Sequence, residues 1–417
     1  MSGTKDGFLK AGHLPTLVAA LLYFDVSFMT WVLMGPLAPF LRDELHLDAT
    51  TLGLITAVPL LGGSFFRPVL ALVADRIGGR RTAIGGMLLT LVPLGIGWQF
   101  ALTSTHLLGV GLLLGVAGAS FAVALPLASR WYPPQYQGLA MGIAGAGNSG
   151  TLLTTLAAPR LAEHFGWQAT FGFAMLPMLA VFIAFVAMAR DSPATVVPAT
   201  RKDYARILGE GDTIWLSVLY GLTFGGFVGL ASFLTIYFHE QYALTRVTAG
   251  DFTTIVVVAG SLLRPIGGWL SDRIGGYRLL LGLLLGSAAC FGVVATAPPL
   301  YVALAVLFVG MGMLGMGNGA VFQLVPQRFP TRMGLVTGIV GAAGGLGGFF
   351  LPTLLGAVKD ATGHYSGGFF VLSVVFAGGA VLLLELGARW ARAWTPDALS
   401  RSGVFSYREK RAEEEAA

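Results

Sequence analysis

Two segments of the sequence, GSFFRPVLALVADRIGGRR at residues 63–81 and GSLLRPIGGWLSDRIGGYR at residues 260–278, share one pattern. When they are aligned with a shift of 197 positions, ten of their nineteen residues are identical. Each places an arginine, Arg67 or Arg264, inside an apolar run and eight residues before an aspartate. We infer that the chain contains two repeats of one unit, and that each repeat buries a permanently charged side chain.

The composition is that of an integral membrane protein. Of the 417 residues, 55% are hydrophobic and 11% are charged, and the mean hydropathy is +0.75, whereas soluble domains carry about 25% charged residues. The 59 glycines suit helices that approach closely in a membrane. The single cysteine, Cys290, excludes an internal disulfide. The six histidines lie at loops or span ends, so we expect no metal site and no cofactor.

Apolar runs of about 20 residues are long enough to cross a bilayer. They predict twelve membrane spans, at about residues 15–40, 51–74, 82–101, 107–129, 138–159, 168–189, 213–238, 252–271, 279–296, 299–326, 334–357 and 367–388.

The loops between these spans differ strongly in basic residues, and this difference predicts the orientation. With both termini on one side, that side holds 20 of the 26 Lys and Arg residues, the other side holds 4, and two lie inside spans. We therefore expect cytoplasmic termini. The predicted organisation is a six-helix bundle over 1–189, a cytoplasmic linker over 190–212, a second six-helix bundle over 213–395 and a cytoplasmic tail over 396–417.

This architecture, an all-α membrane protein with two pseudo-symmetric six-helix bundles, is typical of transporters that rock two bundles about a midplane site. DRIGGRR at 75–81 and DRIGGYR at 272–278 resemble the cytoplasmic loop motif of the major facilitator superfamily. Within that superfamily, the chain is similar to the nitrate/nitrite porter family in four stretches: AGAGNSG at 144–150, TGIVGAAGGLGGFF at 337–350, FDVSFMTWVL at 24–33 and GNGAVFQLVPQRF at 317–329.

The two buried arginines point to an anion. A charge at the centre of a membrane helix costs about 2.5–3.5 kcal/mol, and eight residues of helix, about 12 Å, separate each arginine from its loop motif. Repeat symmetry should bring Arg67 and Arg264 face to face near the midplane, where an anion offsets their repulsion. Nitrate and nitrite are planar and match the donor fork of a guanidinium. The alternative is a structural arginine paired with a carboxylate or with helix carbonyls.

The resemblance implies that Arg67 and Arg264 bind the substrate, together with Phe121, Asn148, Tyr220 and Phe224. Asn148 and Tyr220 can donate hydrogen bonds, and the two phenylalanines can enclose a flat ion. Without the resemblance, lipid contact or core packing would explain either phenylalanine equally well.

The glycine-rich stretches predict close helix packing. Gly145, Gly147 and Gly150 spell G-x-G-x-x-G, but a dinucleotide site would need a preceding strand, and this stretch lies in a span. The glycines expected to form thin, mobile faces are Gly142, Gly145, Gly147 and Gly150 in the fifth span and Gly338, Gly341, Gly344, Gly345, Gly347 and Gly348 in the eleventh.

Asp25 is the one carboxylate well inside a predicted span, and intramembrane carboxylates often relay protons. We expect it to take part in proton coupling. The alternatives are an ion pair with Arg67 or Arg264, or a hydrogen bond that packs helices. The loop residues Asp75, Arg76, Arg80, Arg81, Asp272, Arg273 and Arg278 are expected to form gating contacts, to orient the chain, or to do both.

These observations favour a secondary transporter in a bacterial or archaeal cytoplasmic membrane, monomeric and with no nucleic-acid partner. Its expected substrate is nitrate, with nitrite as a second substrate, and the expected mode is proton symport. The alternatives are nitrate/nitrite antiport, another small anion, or a sensor. No nucleophile, acid–base pair or P-loop indicates an enzyme or an ATP-driven pump.

Overall fold

The computed structural model describes residues 8–100, 103–193, 200–329 and 333–404, and most of them are helical. They form twelve spans, so the predicted all-α membrane architecture is confirmed. The spans, numbered in chain order, are span 1, Leu14–Trp31 and Met34–Leu45; span 2, Ala49–Ile77; span 3, Gly79–Gln99; span 4, Ser104–Gly118 and Phe121–Ser129; span 5, Pro134–Gly145 and Gly150–Phe165; span 6, Trp167–Met188; span 7, Gly211–Tyr242; span 8, Arg246–Leu262 and Arg264–Ile274; span 9, Gly276–Ala295; span 10, Leu300–Arg328; span 11, Met333–Thr362; and span 12, Ser366–Ala393.

Four spans are interrupted, which the apolar pattern did not predict. Span 8 breaks at Leu263, because Pro265 lacks a backbone donor and restricts the residue before it. Span 5 passes through a 3₁₀ turn at Ala146–Ser149, among glycines of low helix propensity. Within the described residues, eleven helical segments are long and apolar enough to cross a membrane by themselves. Span 5 is the twelfth crossing, and its two helices are each too short.

The regions outside the bundles are more ordered than expected. The segment predicted as a linker contains the helix Arg201–Leu208, which begins with a capping box between Thr200 and Asp203. The tail contains the helix Pro396–Ser402, capped by Thr395. The linker positions 194–199 and the tail from 405 onward lie outside the described residues.

The repeated loop motif has one backbone geometry in both halves. Gly78 ends span 2 with φ +93°, and Gly275 ends span 8 with φ +89°. These positive values suit glycine, because a side chain would be strained there. At Gly275, a Cβ would also lie 2.4 Å from the Cα of Gly403. The repeated glycine therefore makes the sharp turn between consecutive spans.

The two halves pack through spans 2 and 11, spans 5 and 8, and spans 1 and 7. We call the end that carries Gly78, Arg130 and the helix Arg201–Leu208 the termini end, and the opposite end the far end. At the far end, Arg160 bonds Asp251 at 2.7 Å across the halves, and Arg246 pairs with Asp43.

Toward the termini end, the halves enclose a cavity of about 970 Å³. Its lining extends from Ser64 and Phe121 in the middle of the molecule to Asp75, Arg130 and Tyr204. The structure is thus closed at the far end and has its open space at the termini end.

Candidate substrate-binding site

Arg67 is held at the contact between the halves. Its side chain is 1% exposed in span 2. The Nε–H donates to the carbonyl of Gly118 in span 4 at 3.0 Å, and Nη1 donates to the carbonyl of Gly341 in span 11. Part of the alternative expectation, pairing with helix carbonyls, is therefore present. These bonds fix the direction of the guanidinium plane.

Aromatic rings surround the same guanidinium. Its central carbon lies 5.0 Å from the ring of Trp31, 5.5 Å from Phe121 and 5.3 Å from Phe224. Each distance is within the range of a cation–π interaction. Phe224 in turn stacks on Tyr220, with centroids 5.1 Å apart and an interplanar angle of 7°.

Arg264, from the second half, lies near Phe322 in the same group of rings. We call the space bounded by the two guanidiniums and the rings of Trp31, Phe121, Tyr220, Phe224 and Phe322 the chamber. Arg264 is half-buried, and its guanidinium carbon lies 6.0 Å from the ring of Phe322. The Phe322 ring lies 4.7 Å from Tyr220 and 6.2 Å from Phe121. The Phe322 ring, which lies near Arg264, therefore also lies near the Phe121 ring that contacts Arg67.

Among the described residues, no acid neutralises the positive charge of this chamber. None of the ion pairs among the described residues includes Arg67 or Arg264. Within the same residues, the buried nitrogens Arg67 Nη2 and Arg264 Nη1 have no hydrogen-bond partner. Because a buried, unpaired charge is costly, the chamber is suited to an anion.

Asn148 and Asp25 lie together at the contact of spans 1 and 5. Asn148 is fully buried in the 3₁₀ turn, and its amide nitrogen, in the orientation that satisfies both amide atoms, donates to the carbonyls of Gly145 and Ala146. Asp25 Oδ1 accepts from the Ser149 hydroxyl at 2.7 Å. The contacts described for these two side chains stay within spans 1 and 5. One alternative expected for Asp25, a hydrogen bond that packs helices, is therefore present.

Most of the predicted packing glycines lie in tight contact. A Cβ at Gly150 would lie 1.9 Å from the carbonyl oxygen of Asp25, and a Cβ at Gly347 would lie 2.1 Å from that of Gly221. Gly344 leaves room for the stacked rings of Tyr220 and Phe224. Similar limits hold at Gly147, Gly345 and Gly348, and a Cβ at Gly341 would lie 3.1 Å from the Phe121 ring.

Gly142, Gly145 and Gly338 make no such close contact in this conformation. A Cβ at any of the three would meet no atom within 4 Å among the described residues. Gly142 and Gly338 precede the tight positions by about one to two helical turns, toward the termini end. There the spans separate around the cavity, so close approach is lost.

The loop-motif residues make contacts mainly within their own half. Asp75 pairs with Arg130 at 3.1 Å, and the Arg80 side chain donates to the carbonyls of Val186 and Ala189. In the second half, Arg278 Nε donates to the carbonyl of Gly403, and Arg273 lies 3.9 Å over the Trp269 ring. The side chains of Arg76, Arg81 and Asp272 are exposed.

Two rings of the chamber were missed from the sequence. Trp31 and Phe322 lie in stretches that carry the family resemblance, FDVSFMTWVL and GNGAVFQLVPQRF, but neither was named as a site residue. Gly63 and Gly118 supply the space for the Trp31 ring, a contact between spans that only the structure reveals. Its indole N–H donates to the carbonyl of Pro59 at 2.6 Å.

Solved membrane transporters share this fold. A D-xylose–proton symporter has a TM-score of 0.75 at 16% identity, covering 89% of this chain and 97% of that chain. A bacterial homologue of the human lysosomal transporter Spinster, in an inward-facing and occupied conformation, has a TM-score of 0.72 at 17% identity, covering 91% and 98%. At these identities the likeness concerns the fold.

Sequence comparison is more specific. The model of the Major Facilitator Superfamily matches residues 19–352 and 216–401. The probable nitrate/nitrite transporter NarK2 of Mycobacterium tuberculosis is 37% identical over 84% of this chain and 90% of its own. The nitrite extrusion protein of Bacillus subtilis is 34% identical over 86% and 90%, and the probable nitrate/nitrite antiporter NarK1 of Thermus thermophilus is 31% identical over 88% and 90%.

These relatives are named as transporters and not as enzymes, and they match almost the full length of the chain. The superfamily model covers both halves of the chain. The chain belongs to the nitrate/nitrite porter family of the major facilitator superfamily.

Proposed function

We propose that the chain is a secondary transporter that carries nitrate, and also nitrite, bound between Arg67 and Arg264. The observation that carries this proposal is the shared aromatic chamber, in which each guanidinium keeps a buried nitrogen without a partner among the described residues. The names of the relatives support this substrate class.

In the proposed complex, the anion bridges Arg67 Nη2 and Arg264 Nη1. Tyr220 donates its hydroxyl, and Phe121 and Phe224 exclude water from the flat faces of the ion. Asn148 joins this set through its amide when spans 1 and 5 move relative to the chamber. A negative charge placed in this desolvated pocket offsets the repulsion of the two cations.

Transport then follows from alternating access of two units, 1–189 and 213–395, joined by the linker 190–212. We place the termini, the tail 396–417 and the loop-motif residues at the cytoplasmic face of a bacterial or archaeal inner membrane, and we propose a monomer. The closed far end and the termini-end cavity then correspond to a state open to the cytoplasm.

Lysine substitution tests the binding mode. Arg67→Lys and Arg264→Lys keep the charge but lose the planar donors, so nitrate uptake into proteoliposomes should fall by about tenfold or more. Arg389→Lys, on the exposed end of span 12, is the matched control and should leave uptake unchanged. Formate and chloride serve as comparison anions. Full nitrate uptake by both lysine variants would contradict the proposal.

Proton symport is the proposed coupling mode, with Asp25 as the proton-binding group. It is partly buried, bonded to Ser149 and adjacent in space to the span 5 turn that contains Asn148. Nitrate/nitrite exchange is the second candidate. The two arginines favour it, because they have no acidic partner among the described residues. Without a bound anion, their positive charge opposes the conformational change that exposes the site to the other side of the membrane.

One pair of measurements separates the two modes. In symport, an inward proton gradient accelerates nitrate uptake into empty proteoliposomes, and Asp25→Asn removes that acceleration. In exchange, uptake requires nitrite or nitrate inside the vesicles and does not respond to the proton gradient. Asp397→Asn, in an exposed ion pair with Arg401, is the control for loss of a carboxylate.

A further inference from the structure

Asn318 in span 10 is a buried polar side chain that none of the proposed roles uses. It is fully buried, and within the described residues neither Oδ1 nor Nδ2 has a hydrogen-bond partner. An unsatisfied buried amide is costly, and most such groups in native proteins are paired. Its position in the fold should therefore have a functional reason.

The neighbouring glycines show which spans pack against this part of span 10. A Cβ at Gly317 would lie 2.7 Å from Thr223 in span 7, and a Cβ at Gly319 would lie 2.8 Å from the carbonyl oxygen of Arg264 in span 8. Successive residues of a helix point about 100° apart. Asn318 therefore lies where span 10 packs against spans 7 and 8, which carry Tyr220 and Arg264.

The next turn of the helix indicates which face Asn318 occupies. Phe322, four residues on, lies on the same face as Asn318. Its ring contacts Tyr220 at 4.7 Å and lies 6.0 Å from the guanidinium carbon of Arg264. Asn318 thus lies one helical turn from the Phe322 ring of the chamber, toward the far end.

We propose that Asn318 is a further substrate-binding residue, whose amide N–H donates directly to the anion held by the two arginines. This inference rests on the proposed function. A neutral amide adds a donor without adding a third positive charge, which would increase the repulsion in the empty site. The anion in turn supplies the acceptor that the buried Nδ2 lacks in the protein itself.

Replacement of Asn318 by leucine tests this role in the full-length purified protein. Asn318→Leu keeps the approximate size and removes the polar atoms, so the dissociation constant for nitrate, measured by calorimetric titration, should rise by about tenfold or more. The same change removes an unsatisfied buried amide, so the Tm of the nitrate-free protein should stay equal or rise. A purely structural asparagine predicts a lower Tm instead.

The control is Thr154→Val in span 5, which also removes a buried hydroxyl that has no partner within the described residues. It should leave nitrate affinity unchanged. Asn318→Ala is the second variant, for use if the leucine variant does not fold, because its smaller side chain cannot clash with spans 7 and 8. It should show the same loss of affinity.

The two proposals can fail separately. Wild-type protein that binds no nitrate would remove the proposed function. Wild-type protein that binds nitrate, with Asn318→Leu or Asn318→Ala binding within twofold of it, would overturn the role of Asn318 alone. A reduced Tm together with reduced affinity in the leucine variant would also overturn it.

Discussion

At the scale of single residues, the central feature is a buried cation stabilised without an acid among the described residues. Arg67 uses two carbonyls from spans 4 and 11 and three aromatic faces. These interactions hold the guanidinium in place but leave its charge uncompensated. A carboxylate at the same place would compete with the proposed anionic substrate, whereas carbonyls and rings leave the positive charge available to it.

The ring of Phe224 provides a direct test of this arrangement. Phe224→Leu removes a cation–π contact with Arg67 and a stacking contact with Tyr220. Such contacts are worth about 0.5–2 kcal/mol, so nitrate affinity should fall by about 2- to 30-fold in a binding titration. The matched control is Phe350→Leu, at a ring that is 66% exposed on the outside of span 11. An equal effect of both substitutions would contradict a specific role for the Phe224 ring.

The arginine pair could be predicted from the sequence because a charge stands out in an apolar run and because the repeat doubles the signal. Phe121, Tyr220 and Phe224 were available only through the family resemblance. Trp31, Phe322 and Asn318 were missed for a physical reason. A helix that is apolar on every side gives no indication of which face points inward, and the chamber combines spans distant in the sequence.

At the scale of elements, span number and approximate position could be predicted, whereas the interruptions could not. Apolar length defines a crossing, but the break at Leu263 depends on Pro265, and a similar proline, Pro68, leaves span 2 continuous. The proline alone therefore does not determine whether the span is interrupted. The glycine positions show the same limit, because one motif contains both tightly packed and open sites.

Span 5 offers a matched pair of glycines for a stability test. At Gly150 a Cβ would lie 1.9 Å from the backbone oxygen of Asp25, so Gly150→Ala must push spans 1 and 5 apart. Overpacking of this kind costs about 1–3 kcal/mol. Gly142→Ala meets open space and gains about 1 kcal/mol of helix propensity. Thermal unfolding in detergent should show a lower Tm for the first and an unchanged or higher Tm for the second. The reverse order would contradict the packing described for span 5.

At the scale of the whole molecule, the two halves touch at the far end and separate toward the termini end. The far-end contacts are polar and specific, and they include Arg42 with Glu240 and Arg160 with Asp251. The cavity wall is mainly apolar near Phe121 and becomes charged at Asp75 and Arg130. We call these far-end contacts the polar seam. If the closed seam and the open cavity represent one of two conformational states, the contacts of the seam should determine the populations of the two states.

Asp360 makes a far-end contact that should change the ratio of the two states. From span 11 its carboxylate accepts from the backbone N–H of Ala49 at 3.1 Å and of Thr50 at 2.7 Å, and from the Thr50 hydroxyl. These donors form the first turn of span 2 in the other half. An acid at a helix N-terminus also gains from the helix dipole, so Asp360 joins the halves only while the far end is closed.

Asp360→Asn should therefore shift the population toward a far-end-open state. Loss of a charge-assisted contact of about 1–2 kcal/mol changes the ratio of the two states by about 5- to 30-fold. Cysteine labelling can measure this shift, because the native thiol at Cys290 can be replaced by serine and a new thiol placed at Ala49, which is 3% exposed in the closed seam. Asp360→Asn should raise the reaction rate of this thiol with a charged thiol reagent by a similar factor, since the thiol reacts only when the seam opens.

The control is Asp397→Asn, which removes a carboxylate from an exposed pair within one helix and should leave the rate unchanged. Equal rates in the Asp360→Asn and Asp397→Asn proteins would mean that the contact with span 2 does not control closure of the far end.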